Sequence, residues 1–207
     1  MSASRVRPAV EADAPAICEI GNEGIEDRLA TLETELRTPQ ERTRWLEGRG
    51  PRHPVVVAED GGRVVAWGSL NPFSPRDAYR HVADFSIYVA RSHRGKGVGK
   101  VLLARLVELA REHGYHKMVL SAFPFNPAGM ALYEKLGFRT VGTYKGARAA
   151  RRPLGGHDRD GKAALALSGS GSGAPARAAA TRTRRAGRPS RASRTPCADR
   201  ARRSRRW

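Results

Sequence analysis

Cysteine is scarce in this 207-residue chain. Cys18 and Cys197 are too few and too widely spaced for a disulfide framework or a thiolate metal site, which fits a reducing compartment. Long apolar runs are absent as well. None approaches the roughly 18 residues of a membrane span, and the opening MSASRVRPAVEADAP has no apolar stretch of the secretory type. A cytoplasmic protein without membrane attachment is expected. His81, His113 and His116 show no metal-ligand grouping, so no metal is expected. Cys18 reads as a small core residue.

Acidic residues are missing from one end. Residues 1–146 carry 21 Lys+Arg against 17 Asp+Glu, whereas residues 147–207 carry 17 against 3. The formal charge of +18, which first suggests nucleic acid, therefore sits mostly in the last 61 residues. Those residues contain no Val, Ile, Met, Phe, Tyr, Glu, Asn or Gln, and 31 of them are Ala or Arg. Such a segment cannot bury enough apolar surface to offset ordering entropy. The reading is a working domain over 1–146 and an Ala/Arg-rich tail over 147–207, disordered from about 166 onward.

Within the domain the pattern predicts a strand at 4–10 and a helix from Glu11 to about Glu26, with Asp13 as N-cap. A second helix begins at Thr38-Pro39-Gln40-Glu41 and reaches Leu46. Pro54–Ala58 and Arg63–Ser69 read as a hairpin around Glu59-Asp60-Gly61-Gly62. A strand follows at Val82–Val89. Gly97–His113 is the best helix, with Val98, Leu102, Leu103, Leu106, Leu109 and Ala110 on one face. Lys117–Ala122 reads as a strand, Pro127–Leu136 as a helix and Phe138–Tyr144 as a strand. The alternation places the chain in the α/β or α+β class.

The sharpest motif is Arg94-Gly95-Lys96-Gly97-Val98-Gly99, after a strand and at the start of the best helix. A helix N-terminus presents unpaired N–H groups to an anion, and glycines let the backbone approach it. The string is not a Walker A loop, since no Gly-Lys-Ser/Thr follows. It is not a dinucleotide fingerprint, since no acidic residue ends a strand about 20 residues on. An ordinary Gly-rich turn is the alternative.

In this context the motif resembles the phosphate loop of the GNAT superfamily of acetyl-CoA-dependent N-acetyltransferases, Arg/Gln-x-x-Gly-x-Gly/Ala. Asn126 followed by Ala131-Leu132-Tyr133-Glu134-Lys135-Leu136-Gly137-Phe138 resembles that superfamily's next segment. The resemblance covers about residues 4–145. It implies an α+β, three-layer fold with a central mixed, mostly antiparallel sheet flanked by helices. It implies acetyl-CoA bound by Arg94, Gly95, Lys96, Gly97, Val98, Gly99 and Asn126, and by the strand backbone at Ile87, Tyr88 and Val89. It also implies Tyr133 as the acid for the leaving thiolate. The segments Gly24–Thr34, Trp67–Tyr79 and Val82–Val89 resemble the phosphinothricin/arsinothricin acetyltransferase branch, whose members acetylate the α-amino group of glutamate analogues, confer resistance and are usually homodimers. Acetylation of methionine sulfoximine or sulfone is the enzymatic alternative.

Amine acetylation needs a base, because amino-acid amines are mostly protonated at pH 7. Asp84 is the candidate: an ionised group inside an apolar strand is costly unless partnered. A strand-end carboxylate paired with an arginine is the other reading, and the resembling enzymes more often have Glu there. Tyr133 has a phenol able to donate to a thiolate, or it packs on an amphipathic helix. An anionic amino acid calls for a guanidinium. Arg76 is the choice, with Arg80 equally possible by composition and with Tyr79 and Asn71 in the same loop. Asn22, Glu26 and Thr31 are candidates to line the pocket, or are exposed polar residues.

After Tyr144-Lys145 the family continues into a last strand, while this chain turns into Ala/Arg-rich sequence. One set of synonymous codons for Ala147–Leu165, read one base later, encodes HGRLDGRWVDTIVTGKLL and a stop, which resembles that missing terminus. A frameshift near Gly146 is therefore expected, with the last strand lost or altered. The rival is a genuine basic tail in which TRTRRAGRPSRASR and ADRARRSRR bind nucleic-acid phosphates without sequence preference.

Overall fold

The computed structural model describes residues 4–145 and 162–168. Among the described residues are strands β1 (Arg5–Pro8), β2 (Val55–Asp60), β3 (Arg63–Pro72), β4 (Val82–Val89), β5 (Lys117–Ala122), β6 (Arg139–Tyr144) and β7 (Lys162–Ser168). The helices are α1 (Ala14–Asp27), α2 (Pro39–Glu47), α3 (Val98–Glu112) and α4 (Pro127–Lys135). The strands form one mixed sheet in the order β1-β2-β3-β4-β5-β7-β6. Only the β4–β5 pair is parallel; the others are antiparallel.

Local chemistry accounts for most boundaries. Thr38 and Glu41 form a capping box at the start of α2, each side chain satisfying an orphan backbone N–H. The β2–β3 hairpin turns on Gly61 and Gly62, both at positive φ, as a tight primed turn requires. Asp13 precedes α1 but does not cap it. Its carboxylate is buried, accepts two bonds from the Arg7 guanidinium at 2.7 and 2.8 Å, and accepts from the Val10 amide. The Arg7 bonds, opposed by burial, hold the Asp13 carboxyl below its ordinary range.

Strand alternation divides the core into two layers. Ala83 and Phe85 of β4, with Val56 and Ala58 of β2, face Leu102, Leu103 and Leu106 of α3. Val55, Val57, Trp67 and Tyr88 point to the other side, against Ile17 and Ile20 of α1. Helix α3 lies close on β3: a Cβ at Gly68 would meet Leu106 Cδ1 at 2.8 Å and the Ser86 carbonyl oxygen at 3.1 Å.

The largest departure from expectation is β7. Lys162–Ser168 pairs antiparallel with β5 on one side and β6 on the other, so the sheet does not stop at Tyr144. Leu165 is fully buried and Ala163 nearly so, both in the α3-side core. The present reading frame thus supplies a strand in that slot. The remainder of the proposed frameshifted stretch and both basic segments of the tail lie outside the described residues.

Leu165→Ala should cost about 2–5 kcal/mol of stability. Val141→Ala on exposed β6 should stay within about 0.5 kcal/mol. Urea unfolding midpoints compare the two, and equal effects would contradict the placement of β7.

Candidate active site

β4 and β5 pair over only three positions, Val82↔Lys117, Ala83↔Met118 and Asp84↔Val119. Beyond Asp84 they part. β4 keeps β3 on one edge up to Val89, while β5 pairs with β7 on its far edge. The opened edge of β4 borders a cleft of about 470 Å³, which the α1–α2 loop, Phe73, Tyr133 and β7 also line.

Asp84, Ser86 and Tyr88 alternate along β4 on the α1 side of the sheet, whereas Phe85 and Ile87 face α3. Tyr133 reaches the cleft from α4 on the α3 side, held edge-on by Phe85 at 6.0 Å and Phe138 at 6.1 Å. The carboxylate and the phenol therefore flank the open strand edge from opposite faces. Burial pushes the Tyr133 phenol up to about 12, with Tyr88 and Asp84 adding to the shift. It keeps its proton across the working pH range, as a hydrogen-bond donor to a developing thiolate must. Burial also raises the Tyr88 phenol, opposed by the neighbouring Thr31 hydroxyl. The Tyr88 ring stacks on Trp67 at 4.7 Å, and Gly24 makes room for it, since a Cβ there would lie 2.8 Å from the ring.

The glycine loop leads into α3. Gly95 and Gly97 have φ of 76° and 85°, and a Cβ at either would meet nothing within 4 Å. Gly97 is the N-cap and offers no side-chain bond to the first turn, whose buried first residue is Val98. Open space beside an uncapped helix start suits a phosphate. Gly99 packs tightly instead, 3.3 Å from Leu132 as Cβ, and Lys96 is exposed on the loop. The Arg94 guanidinium, expected to meet phosphate, donates to Asp27 Oδ2 at 2.6 Å and to the Val89 carbonyl at 3.0 Å, fastening the loop to α1. Asn126 lines the cleft and also caps α4, its Oδ1 accepting from the Gly129 amide at 2.9 Å.

The other expected substrate residues divide. Thr31 lines the cleft. Arg76 and Tyr79 lie in a separate depression of about 300 Å³ with Arg52, His53 and Arg80, because the loop turns back at Asp77–Tyr79 and locks Tyr79 against Phe73 at 5.3 Å. Glu26 pairs with Arg91 on the outer side of α1. Asn22 is consumed by the Arg37 backbone, accepting from its amide and donating to its carbonyl, each at 2.9 Å. Asn71, opposite Asp84 in the β3–β4 register, bonds to Ser69, Ser86 and Arg49. Ser86 and Glu33 line the cleft and were missed. Period-two placement with Asp84 could have identified Ser86; nothing local marks Glu33.

The profile of the acetyltransferase (GNAT) family matches residues 22–138. The chain belongs to this family and is an N-acetyltransferase. It is 36% identical over 134 residues to the L-amino acid N-acyltransferase MnaT of Escherichia coli, covering 64% of this chain and 78% of that protein. It is 33% identical over 142 residues to the phosphinothricin N-acetyltransferase of Streptomyces viridochromogenes, covering 69% and 78%. Among solved structures, a phosphinothricin acetyltransferase of Sinorhizobium meliloti in complex with acetyl-CoA has a TM-score of 0.72 and 30% identity, over 81% of this chain and 89% of that one.

A phenol held near 12 when folded, against about 10 when unfolded, leaves stability intact below pH 10 and removes it as pH rises through 12. The loss attributable to Tyr133 should be about 2–3 kcal/mol. Tyr133→Phe should flatten unfolding midpoints across that window relative to the parent; parallel curves would contradict the burial of the phenol.

Proposed function

We propose that this chain transfers acetyl from acetyl-CoA to the α-amino group of a small amino acid of the phosphinothricin or arsinothricin type. The observation that carries the reading is the placement of Asp84 and Tyr133 on opposite faces of the opened β4 edge, beyond which the glycine loop starts α3. Bound acetyl-CoA supplies the thioester. Gly95, Gly97 and the first turn of α3 hold phosphate, and the backbone groups around Ile87 that face the opening, away from β3, orient the acyl chain. Asp84 takes the ammonium proton directly or through water. Tyr133 donates a hydrogen bond as charge collects on sulfur. Resistance by N-acetylation, a cytoplasmic location and homodimerisation accompany this reading.

A second amino acid class is favoured by one feature. Among the described residues, no Lys, Arg or His lines the cleft, which suits a neutral side-chain head such as a sulfoximine or sulfone better than a phosphinate. The L-methionine sulfoximine/L-methionine sulfone acetyltransferase of Salmonella typhimurium, 35% identical over 134 residues, supports it.

Acetyl-CoA-dependent thiol release with L-phosphinothricin and with L-methionine sulfoximine tests both. The chain should be assayed beside a version carrying HGRLDGRWVDTIVTGKLL from position 147 to its end. Turnover of at least one amino acid is expected, and Asp84→Asn should lower kcat about 10²- to 10⁴-fold. Silence with both amino acids in both versions would overturn the reading.

A further inference from the structure

We propose that the Ser86 hydroxyl is the donor that holds the α-carboxylate of the amino-acid substrate, its proton turned into the cleft by Asn71 and Arg49. The inference rests on amino-acid acetylation as proposed above and deepens it. Every candidate substrate carries that carboxylate, and the described lining of the cleft offers it no cation. Among the described lining, neutral hydroxyls and amides are the side-chain donors placed to meet it.

The argument follows the direction of three hydrogen bonds. Arg49 has only donors. Its Nη1 and Nη2 lie 3.1 Å from Asn71 Oδ1, which fixes that atom as oxygen. Ser69 Oγ, fully buried, adds a third donor to it at 3.0 Å. The amide nitrogen of Asn71 therefore faces the other way, 3.2 Å from Ser86 Oγ. An amide nitrogen cannot accept, so Ser86 Oγ accepts and its own proton points elsewhere. Among the described residues, Ser86 has no second hydrogen bond. It lines the cleft between Asp84 and Tyr88 on the face from which the amine must approach.

Arg49 is fixed for this task. It also donates to the His53 carbonyl at 2.8 Å and to the Leu70 carbonyl, and its guanidinium lies 4.9 Å from the Trp45 ring centroid. Arg49 and Asn71 are thus positioning residues that act through Ser86, and Asn71, which lies within β3 rather than in the expected loop, serves Ser86 instead of touching substrate.

A hydrogen bond from a hydroxyl to a carboxylate predicts that Ser86→Ala raises KM for the amino acid about 10- to 100-fold. It should change kcat less than about threefold and leave KM for acetyl-CoA alone. Ser86→Thr, which keeps the hydroxyl, should restore most of the affinity. The penalty should vanish for the amine that carries hydrogen in place of the α-carboxylate. Asn71→Asp would turn the Ser86 proton back onto itself, so it should match Ser86→Ala and add nothing to it in the double variant. Unfolding midpoints confirm that each variant is folded. An unchanged KM, an equal penalty with the carboxylate-free amine, or a shifted pH–rate profile at constant KM (the proton then serving Asp84) would each overturn the proposal. No turnover by either the chain or the version with the restored terminus would overturn the amino-acid reading and the proposal together, whereas turnover by either one with an unaffected Ser86→Ala in that version overturns the proposal alone.

Discussion

The parting of β4 from β5 after Asp84 is the constraint on which the rest of the molecule depends. A sheet interior normally pairs every backbone donor and acceptor, and leaving such groups buried and unpaired is costly. Here the edge of β4 from Phe85 to Val89 is withheld from its sheet neighbour in the middle of the domain. β4 keeps β3 on its far edge and β5 keeps β7 on its own, so each wall of the opening stays anchored in the sheet on the side away from it. The opening has polar backbone along one wall and aromatic side chains at its floor, suited to an extended amide-bearing chain rather than to bulk water.

Charge is arranged around this opening by where it is neutralised. Arg91 and Arg94, close to the phosphate loop in sequence, spend their guanidinium groups on Glu26 and Asp27 of α1. They hold the loop in place, and the backbone amides at the start of α3 have no side-chain cap. Burial raises the Tyr133 phenol, with Tyr88 and then Asp84, across the strand from it, adding to the shift. On the α1 side, Arg49 is drawn below its ordinary pKa by burial, yet it stays a donor throughout. The direction of each bond from it to Ser86 is therefore fixed. Structural cations thus set the geometry, while the described residues that line the cleft are neutral or acidic.

Much of this was legible in the sequence where periodicity was strong. Of the α3 face, Val98, Leu102, Leu103, Leu106 and Ala110 are buried as the helical spacing required, with Leu109 half-buried at its margin, and Lys117–Ala122 is β5 as read. The resemblance at Arg94–Gly99 and Asn126–Phe138 identified the fold and placed Asp84 and Tyr133 in one cleft. β7 was not legible, because Lys162–Ser168 contains only Lys, Ala, Leu and Ser and has no β-branched or aromatic residue; its strand form depends on two neighbours already in place. Arg76 and Tyr79 line a depression apart from the cleft for a related reason. The loop's composition suits anion binding, but its direction is set by the Phe73–Tyr79 contact and the turn at Asp77–Tyr79. Asn22 had the right chemistry for a pocket, but the Arg37 backbone uses both ends of its amide.

The central claim is that the unpaired edge of β4 and the start of α3 together hold the acyl donor. Amide hydrogen exchange of the full chain, with and without saturating acetyl-CoA, tests it most directly. Slowed exchange confined to Phe85–Val89 and Gly95–Val101 is the predicted result. Unchanged exchange in both segments, with acetyl-CoA demonstrably bound, would contradict it.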